Sequence, residues 1–262
     1  MEYLEFLRRV HERLAPPTYL EIGIRFGHSL TLSRATTIGV DPAYELRVEA
    51  PPGAELHRET SDDFFGRPDP LTHFGGRPVA LSFIDGMHLS EYALRDFINV
   101  ERHAHWASVI VFDDMLPRDA EEAARDRTTH QWTGDVYKMV GILARNRPDL
   151  TCLRVDLEPT GVMVVVGLDP ANTVLTERYA KLEAAAQTPD PQDVPKGLID
   201  RSDTLDAERV LGGSFWDALR RGQAGEIDEK DGRRALRDAL KADFGRGTVS
   251  RRRLRDVLPL PS

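Results

Sequence analysis

Residues 79–88 read Val79-Ala80-Leu81-Ser82-Phe83-Ile84-Asp85-Gly86-Met87-His88, and residues 108–114 read Ser108-Val109-Ile110-Val111-Phe112-Asp113-Asp114. Each is a short apolar run that stops on an acid, the pattern of a strand covered on both faces whose end reaches solvent. Glu91 to His103 lies between them with helical spacing, so the stretch reads as strand, helix, strand. Working outward, Leu4, Leu7 and Leu14 predict an opening amphipathic helix, and Tyr19 to Ile22 a strand. A glycine-bearing turn follows, then a short helix near Ser29 to Arg34 and strands at Thr37 to Asp41 and Ala54 to His57. Val136 to Leu143 has helical periodicity, and Leu153 to Leu157 and Val162 to Gly167 flank the turn-like Pro159-Thr160-Gly161 as a closing pair of strands. Repeated β-α units with continuous apolar strands predict a doubly wound, mainly parallel, Rossmann-like α/β sheet with helices on both faces and an antiparallel hairpin at one edge.

Composition agrees with a globular protein. The 262 residues are 40% hydrophobic and 30% charged, with 20 Gly and 17 Pro, which fits one α/β domain of about 200 residues with an appendage. The apolar run at Val162 to Leu168 is far shorter than the roughly 20 residues a bilayer crossing needs, and Glu2 and Glu5 do not suit a secretory leader. A single cysteine, Cys152, excludes an intramolecular disulfide and a thiolate-only zinc site. Cytoplasmic residence without membrane contact is the expectation. A net charge of -8 argues against nucleic acid as a partner.

The charge is unevenly spread. Residues 201–262 hold 14 Lys or Arg against 11 Asp or Glu, leaving 21 against 32 for the rest of the chain. Pro189, Pro191 and Pro195 mark the change, because proline restricts φ and lacks an amide donor. The expected division is a body at 1–187, a Pro-rich linker at 188–200 and a helical C-terminal extension at 201–262. In the extension, Phe215, Trp216 and Leu219, then Ala235, Leu236, Ala239 and Leu240, recur at helical spacing ahead of Arg251-Arg252-Arg253. These helices are expected to pack on the body or on a second copy, as one route to a homo-oligomer.

In sheets of this class ligands bind beyond the carboxyl ends of the strands. The first such position is Glu21-Ile22-Gly23-Ile24-Arg25-Phe26-Gly27-His28-Ser29. It lacks the G-x-G-x-x-G fingerprint of dinucleotide sites and suits a smaller anionic group, such as the carboxylate of S-adenosylmethionine, with amides of the following helix directed at it. Asp41, eighteen residues beyond Gly23, is placed to accept from ribose hydroxyls, and Ser61 and Asp62 either read an adenine edge or cap a helix. Asp85, Asp113 and Asp114 at neighbouring strand ends would repel one another unless a cation lay between them. Hard oxygen donors with one nearby histidine favour Mg²⁺, with Mn²⁺ or Ca²⁺ as alternatives.

With the glycine loop, Asp41 and the acidic strand ends in this order, residues 15–170 resemble class I S-adenosylmethionine-dependent methyltransferases. Within them the chain is most similar to metal-dependent O-methyltransferases of the macrocin and mycinamicin sugar type, and more distantly to catechol O-methyltransferase. The specific part is Ile84-Asp85-Gly86-Met87-His88, the helix after it, and Asp113-Asp114. The resemblance implies Asp85, Asp113 and Asp114 as metal ligands and His88 as general base. It implies a donor site around Glu21, Gly23, Arg25, Gly27, Ser29, Asp41, Ser61, Asp62 and Asp85. Trp132, Asp135 and Lys138, in the segment before the next helix, are candidates to cover the substrate. The glycine pair often found before the fifth strand is replaced by His105-Trp106-Ala107. The acceptor implied is a hydroxyl of a sugar, a glycosylated small molecule or an oligosaccharide, with a catechol-like diol as the alternative. Two other classes compete: a nucleoside-binding module without chemistry, which the base beside three acids counts against, and a nucleotide-dependent oxidoreductase, which the missing fingerprint counts against.

Overall fold

The computed structural model describes residues 1–245; Arg251-Arg252-Arg253 lies outside the described residues. In chain order the elements are α1 (Tyr3–Leu14), β1 (Thr18–Ile22), β2 (Thr36–Val40), β3 (Glu55–His57), α2 (Ser61–Phe65), β4 (Val79–Ile84), α3 (Ser90–Arg102) and β5 (Ala104–Phe112). They continue with α4 (Lys138–Asn146), β6 (Thr151–Asp156), β7 (Val162–Val166), α5 (Val174–Ala186), α6 (Lys196–Ile199), β8 (Leu205–Asp206), α7 (Ala207–Leu211), α8 (Phe215–Gln223) and α9 (Glu229–Phe244). The eight strands form one sheet in the order β3-β2-β1-β4-β5-β7-β6-β8. β1 to β5 pair in parallel, β7 runs antiparallel to both β5 and β6, and β8 pairs in parallel with β6.

This is the doubly wound Rossmann-like sheet, and the hairpin is present with the two-residue β8 outside it. The apolar runs are continuous because both faces are covered. On β5, Ile110 and Phe112 join one buried cluster with Phe97 of α3, Val140 of α4 and Leu182 of α5. Val109 and Val111 join the other, with Phe6 of α1, Leu211 of α7, Leu219 of α8 and Leu236 of α9. Residues beyond 200 therefore supply much of the second helical layer. Gln223 fastens α8 to the sheet by donating to the carbonyls of Ala80 and Ala107, 3.0 Å from each.

Three features depart from the sequence expectations. The connection from β1 to β2 holds no α-helix, only a 3-10 turn at Leu30–Leu32, and Leu30 alone of its residues is buried. β5 starts four residues early, at Ala104, because a register shift between Val79 and Leu81 lets its first residues pair on the far side of an irregularity. α5 was not anticipated; its mixed charged and apolar sequence gives only a weak amphipathic stripe. No helix among the described residues is long and apolar enough to cross a membrane.

Candidate functional site

The strand order reverses between β1 and β4, and the carboxyl ends of β1, β4 and β5 converge there. Gly23 makes the convergence possible. Its φ is +89°, and a Cβ at this position would lie 1.9 Å from the carbonyl oxygen of Asp85, so only glycine lets the β1 turn pass so close to β4.

The loop after Gly23 is organised by the protein's own acids. Asp41 accepts from the backbone amides of Ile24 and Arg25 at 2.9 and 2.8 Å, and from Ala43 at 2.7 Å. With no α-helix following the loop, the expected array of free helical amides is absent, and Asp41 occupies two of the loop amides that remain. A carboxylate has about four acceptor positions, so Asp41 keeps one for a hydroxyl. Glu21 and Ser29 are buried and bonded to each other at 2.7 Å, with the Tyr19 hydroxyl donating to the second Glu21 oxygen. Burial, against these hydrogen bonds, pushes the Glu21 carboxyl up to about 8. Residues 45–47 lie across the loop, the amides of Glu45 and Arg47 donating to the carbonyls of Arg25 and Phe26.

At the ends of β4 and β5, Asp85, His88 and Asp114 bring one ligand atom each within 4.8 Å of one another. His88 is the bridge: Nε2 lies 3.2 Å from Asp85 and Nδ1 2.6 Å from Asp114. Its ring stacks on Trp132 at 5.2 Å and 4°, and the Trp132 carbonyl lies 3.1 Å from Nδ1. His88 and Asp114 adopt φ of +56° and +59°, left-handed conformations that cost energy in non-glycine residues. Burial would lower the His88 pKa, but hydrogen bonds to Asp114 and Asp85 outweigh it and push it up to about 11. Asp113 lines the same recess outside that close set, and burial followed by the charges of Asp114 and Asp85 raises its pKa well above the carboxylate range. Asp85 is raised chiefly by burial.

The remaining expected residues divide. Trp132 reaches the site through His88. Asp135 and Lys138 do not line the recess. Both are buried, and Asp135 accepts from Lys138 Nζ at 2.7 Å, Arg125 at 2.6 Å and the amide of Ser90 at 2.7 Å. Lys138 also donates to the Ala186 carbonyl and the Thr188 hydroxyl, so this network ties the segment before α4 to the end of α5. Asp62 pairs with Arg95 at 2.8 Å, and the α2 cap is Thr60, whose hydroxyl accepts from the Asp63 amide. Ser61 lies beside Asp96, whose carboxyl burial pushes up to about 7 against the opposing influence of the serine.

Asp96 is a site residue that the sequence reading passed over. It is 2% exposed, lines the recess beside Asp85, Asp113 and Val136, and its Oδ1 has no hydrogen-bond partner. The signal was present: Ala93, Asp96, Phe97 and Val100 fall at helical spacing, which puts an acid on the core-facing stripe of α3. The recess encloses about 260 Å³ of space open to solvent, walled by Ile84, Ala93, Phe112 and Val136.

No protein-family model and no curated protein matches the chain. Among solved structures, an O-methyltransferase from Streptomyces achromogenes involved in tomaymycin synthesis, in complex with S-adenosylmethionine, aligns at 14% identity and a TM-score of 0.45, covering 64% of this chain and 80% of that one. An O-methyltransferase from Bacillus cereus in complex with S-adenosylhomocysteine aligns at 14% identity and 0.42, covering 63% and 80%. Alignments this partial fix neither family nor activity, and the functional reading rests on the site itself.

Proposed function

We propose that the chain is a divalent-metal-dependent O-methyltransferase that takes the methyl group of S-adenosylmethionine to a hydroxyl of a sugar, a glycosylated small molecule or an oligosaccharide. The observation that carries the reading is the cluster of Asp85, His88, Asp113 and Asp114 at the reversal point of the sheet, next to the Gly23 loop. The ion pairs of Asp85 and Asp114 are both with His88, itself the group that holds a proton there. Three carboxylates, Asp113 buried and Asp85 and Asp114 partly so, matched by one imidazolium are short of positive charge, and hard oxygen donors suit Mg²⁺ or Mn²⁺. Asp85 and Asp114 would hold the ion, with Asp113 beside them. When bound, it supplies positive charge that makes an acceptor hydroxyl more acidic.

The chain's own residues do the rest. With their charge offset, Asp85 and Asp114 would hold the His88 proton less tightly, and neutral His88 would then be the nearest base for the acceptor hydroxyl. Trp132 holds the imidazole plane through its ring and its carbonyl. The acceptor oxygen, relieved of its proton, attacks the sulfonium methyl in line. Ile84, Ala93, Phe112 and Val136 provide a low-dielectric wall beside the charges.

Calorimetry with S-adenosylhomocysteine, NAD and NADP, followed by methyl transfer from labelled S-adenosylmethionine to sugar and catechol acceptors, tests the proposal. S-Adenosylhomocysteine should bind and NAD and NADP should not. Chelation should abolish transfer, and Mg²⁺ should restore it. Full transfer by chelated enzyme would remove the metal from the reading, and binding of NAD in place of S-adenosylhomocysteine would overturn it.

A further inference from the structure

Residues 113–137 join β5 to α4 without a helix or strand and carry three arginines, Arg118, Arg125 and Arg127. Two of them are taken up by the protein's own acids. Arg118 pairs with Glu122, its Nε 2.7 Å from the carboxylate, and Arg125 pairs with Glu91 and Asp135 at 2.6 Å each. Arg127 differs: it is exposed, and among the described residues it pairs with no acid. Its partners are the carbonyl of His130, 3.2 Å from Nη2, and the ring of Trp132, whose centre lies 5.9 Å from the guanidinium carbon. One carbonyl engages a small part of a fork with five N–H donors, so most of the guanidinium is available to a ligand.

The base of this segment is fixed against His88. Trp132 stacks on the imidazole, and its Nε1 donates to the Ala124 carbonyl at 2.6 Å. The amides of Thr133 and Gly134 and the Thr133 hydroxyl all donate to the Glu122 carbonyl. Gly134, at φ +57°, passes so close that a Cβ there would fall 1.8 Å from the His88 carbonyl oxygen. Arg127 is therefore held one aromatic ring away from the imidazole, on a segment closed at its base. It does not wall the recess itself, so a group that meets Arg127 lies outside the cluster of acids that would repel an anion. A hydroxyl at His88 and an anionic group at Arg127 fit one small molecule whose two ends lie apart.

We propose that Arg127 is a specificity-determining residue that selects an anionic acceptor, a sugar carrying a carboxylate or phosphate group that pairs with the guanidinium while the hydroxyl faces His88. The inference rests on the methyl-transfer reading above and narrows its acceptor. A planar, permanently charged fork matches either anion through two hydrogen bonds at once. Trp132 is the shared platform, orienting the imidazole and seating the guanidinium.

The test titrates the full-length protein, loaded with S-adenosylhomocysteine and Mg²⁺, with methyl glucuronoside, methyl glucoside 6-phosphate and methyl glucoside, which share a ring and differ in charge. Wild type should bind at least one anionic glycoside about tenfold or more tightly than the neutral one, the ratio expected for hydrogen bonds between charged groups, and the preference should shrink as salt rises. Which anion gains identifies the source of the negative charge. Arg127→Gln should bring the affinity for the anionic glycoside down to that for the neutral one, and Arg127→Lys, which keeps the charge without the fork, should retain part of the preference. Arg127 is exposed, so neither substitution disturbs the core. Equal binding of all three glycosides by wild type would overturn the proposal and leave Arg127 as a cover for Trp132. A preference undiminished in Arg127→Gln would overturn it also, since the metal or another cation would then be reading the anion. Failure to bind S-adenosylhomocysteine would refute the methyl-donor reading, and the same titrations on the unloaded protein would still decide the role of Arg127.

Discussion

Replacing Asp135 by Ala should be among the most damaging single changes near the site, although the residue touches no expected ligand position. Its carboxylate is fully buried and takes hydrogen bonds from two cations, Arg125 and Lys138, and from the Ser90 amide. Lys138 is itself buried, and desolvation lowers its pKa against the opposing pull of Asp135. Removing the acid leaves the amide at the start of α3 without its acceptor and the buried Lys138 ammonium with only the neutral Ala186 carbonyl and Thr188 hydroxyl, while Arg125 keeps its pairing with Glu91. Breaking a buried pair from one side costs about 3–5 kcal/mol, most of it the burden of uncompensated charge. Against a typical total stability of about 5–15 kcal/mol the protein would remain folded at 25 °C but melt much earlier. Urea unfolding followed by circular dichroism should show that loss, and Asp135→Asn, which keeps an acceptor for Ser90, should lose less. Combining Asp135→Leu with Lys138→Met removes both charges and should recover part of the stability, giving a coupling energy of at least about 1 kcal/mol. The function should follow: Ser90 lies two residues after His88 and Trp132 three before Asp135, so the stack that orients the imidazole loosens in the single variant. A loss below about 1 kcal/mol in Asp135→Ala, or strict additivity in the double variant, would show that solvent already screens this network and that the buried-charge argument is wrong.

His11 predicts a pH dependence of stability. It is buried against Tyr19 with neither ring nitrogen bonded, and burial followed by the charge of Arg34 lowers its pKa to about 4 from the ordinary 6.5. The unfolded chain binds the proton first, so stability is complete above about pH 6.5 and falls as pH drops toward 4, by about 3 kcal/mol from this group; urea midpoints between pH 7 and 4.5 should fall less steeply in His11→Leu, and identical slopes would reject the assignment. Asp41→Ala frees three amides and should cost about 1–3 kcal/mol of stability together with affinity for S-adenosylhomocysteine, whereas loss of stability alone would restrict Asp41 to bracing the loop. His88→Ala should lower turnover by about a hundredfold or more with donor affinity nearly intact, because a proton transfer is lost only in the transition state; retention of most turnover would assign deprotonation to another group.

The sheet was legible where burial on both faces left no choice of residue type. Val79–Ile84 has the same limits in the sequence reading and in the structure, because Pro78 and Asp85 bound six consecutive buried positions whose polar member, Ser82, lies inside the run and not at an end. The turn after β1 was misread because Leu30 and Leu32 flanked by polar residues look like the start of a helix, while only Leu30 finds a buried place. Asp135 and Lys138 were read as facing a substrate because charged residues are normally exposed, and nothing in the local sequence announces a partner such as Thr188, fifty residues away. The structure adds what separates one acid from another. Asp41 is satisfied by three amides, Asp135 by two cations and an amide, and Glu101 pairs with Arg147. Asp85 and Asp114 share a single histidine, Asp113 is raised by burial and by the charges of Asp114 and Asp85, and Asp96 keeps an oxygen without a hydrogen-bond partner. A protein that completes its other buried acids with its own groups, and leaves four short of partners around one recess, departs from local consistency where a ligand is expected to restore it. The deficit there is of positive charge near His88 and of a hydrogen-bond donor near Asp96.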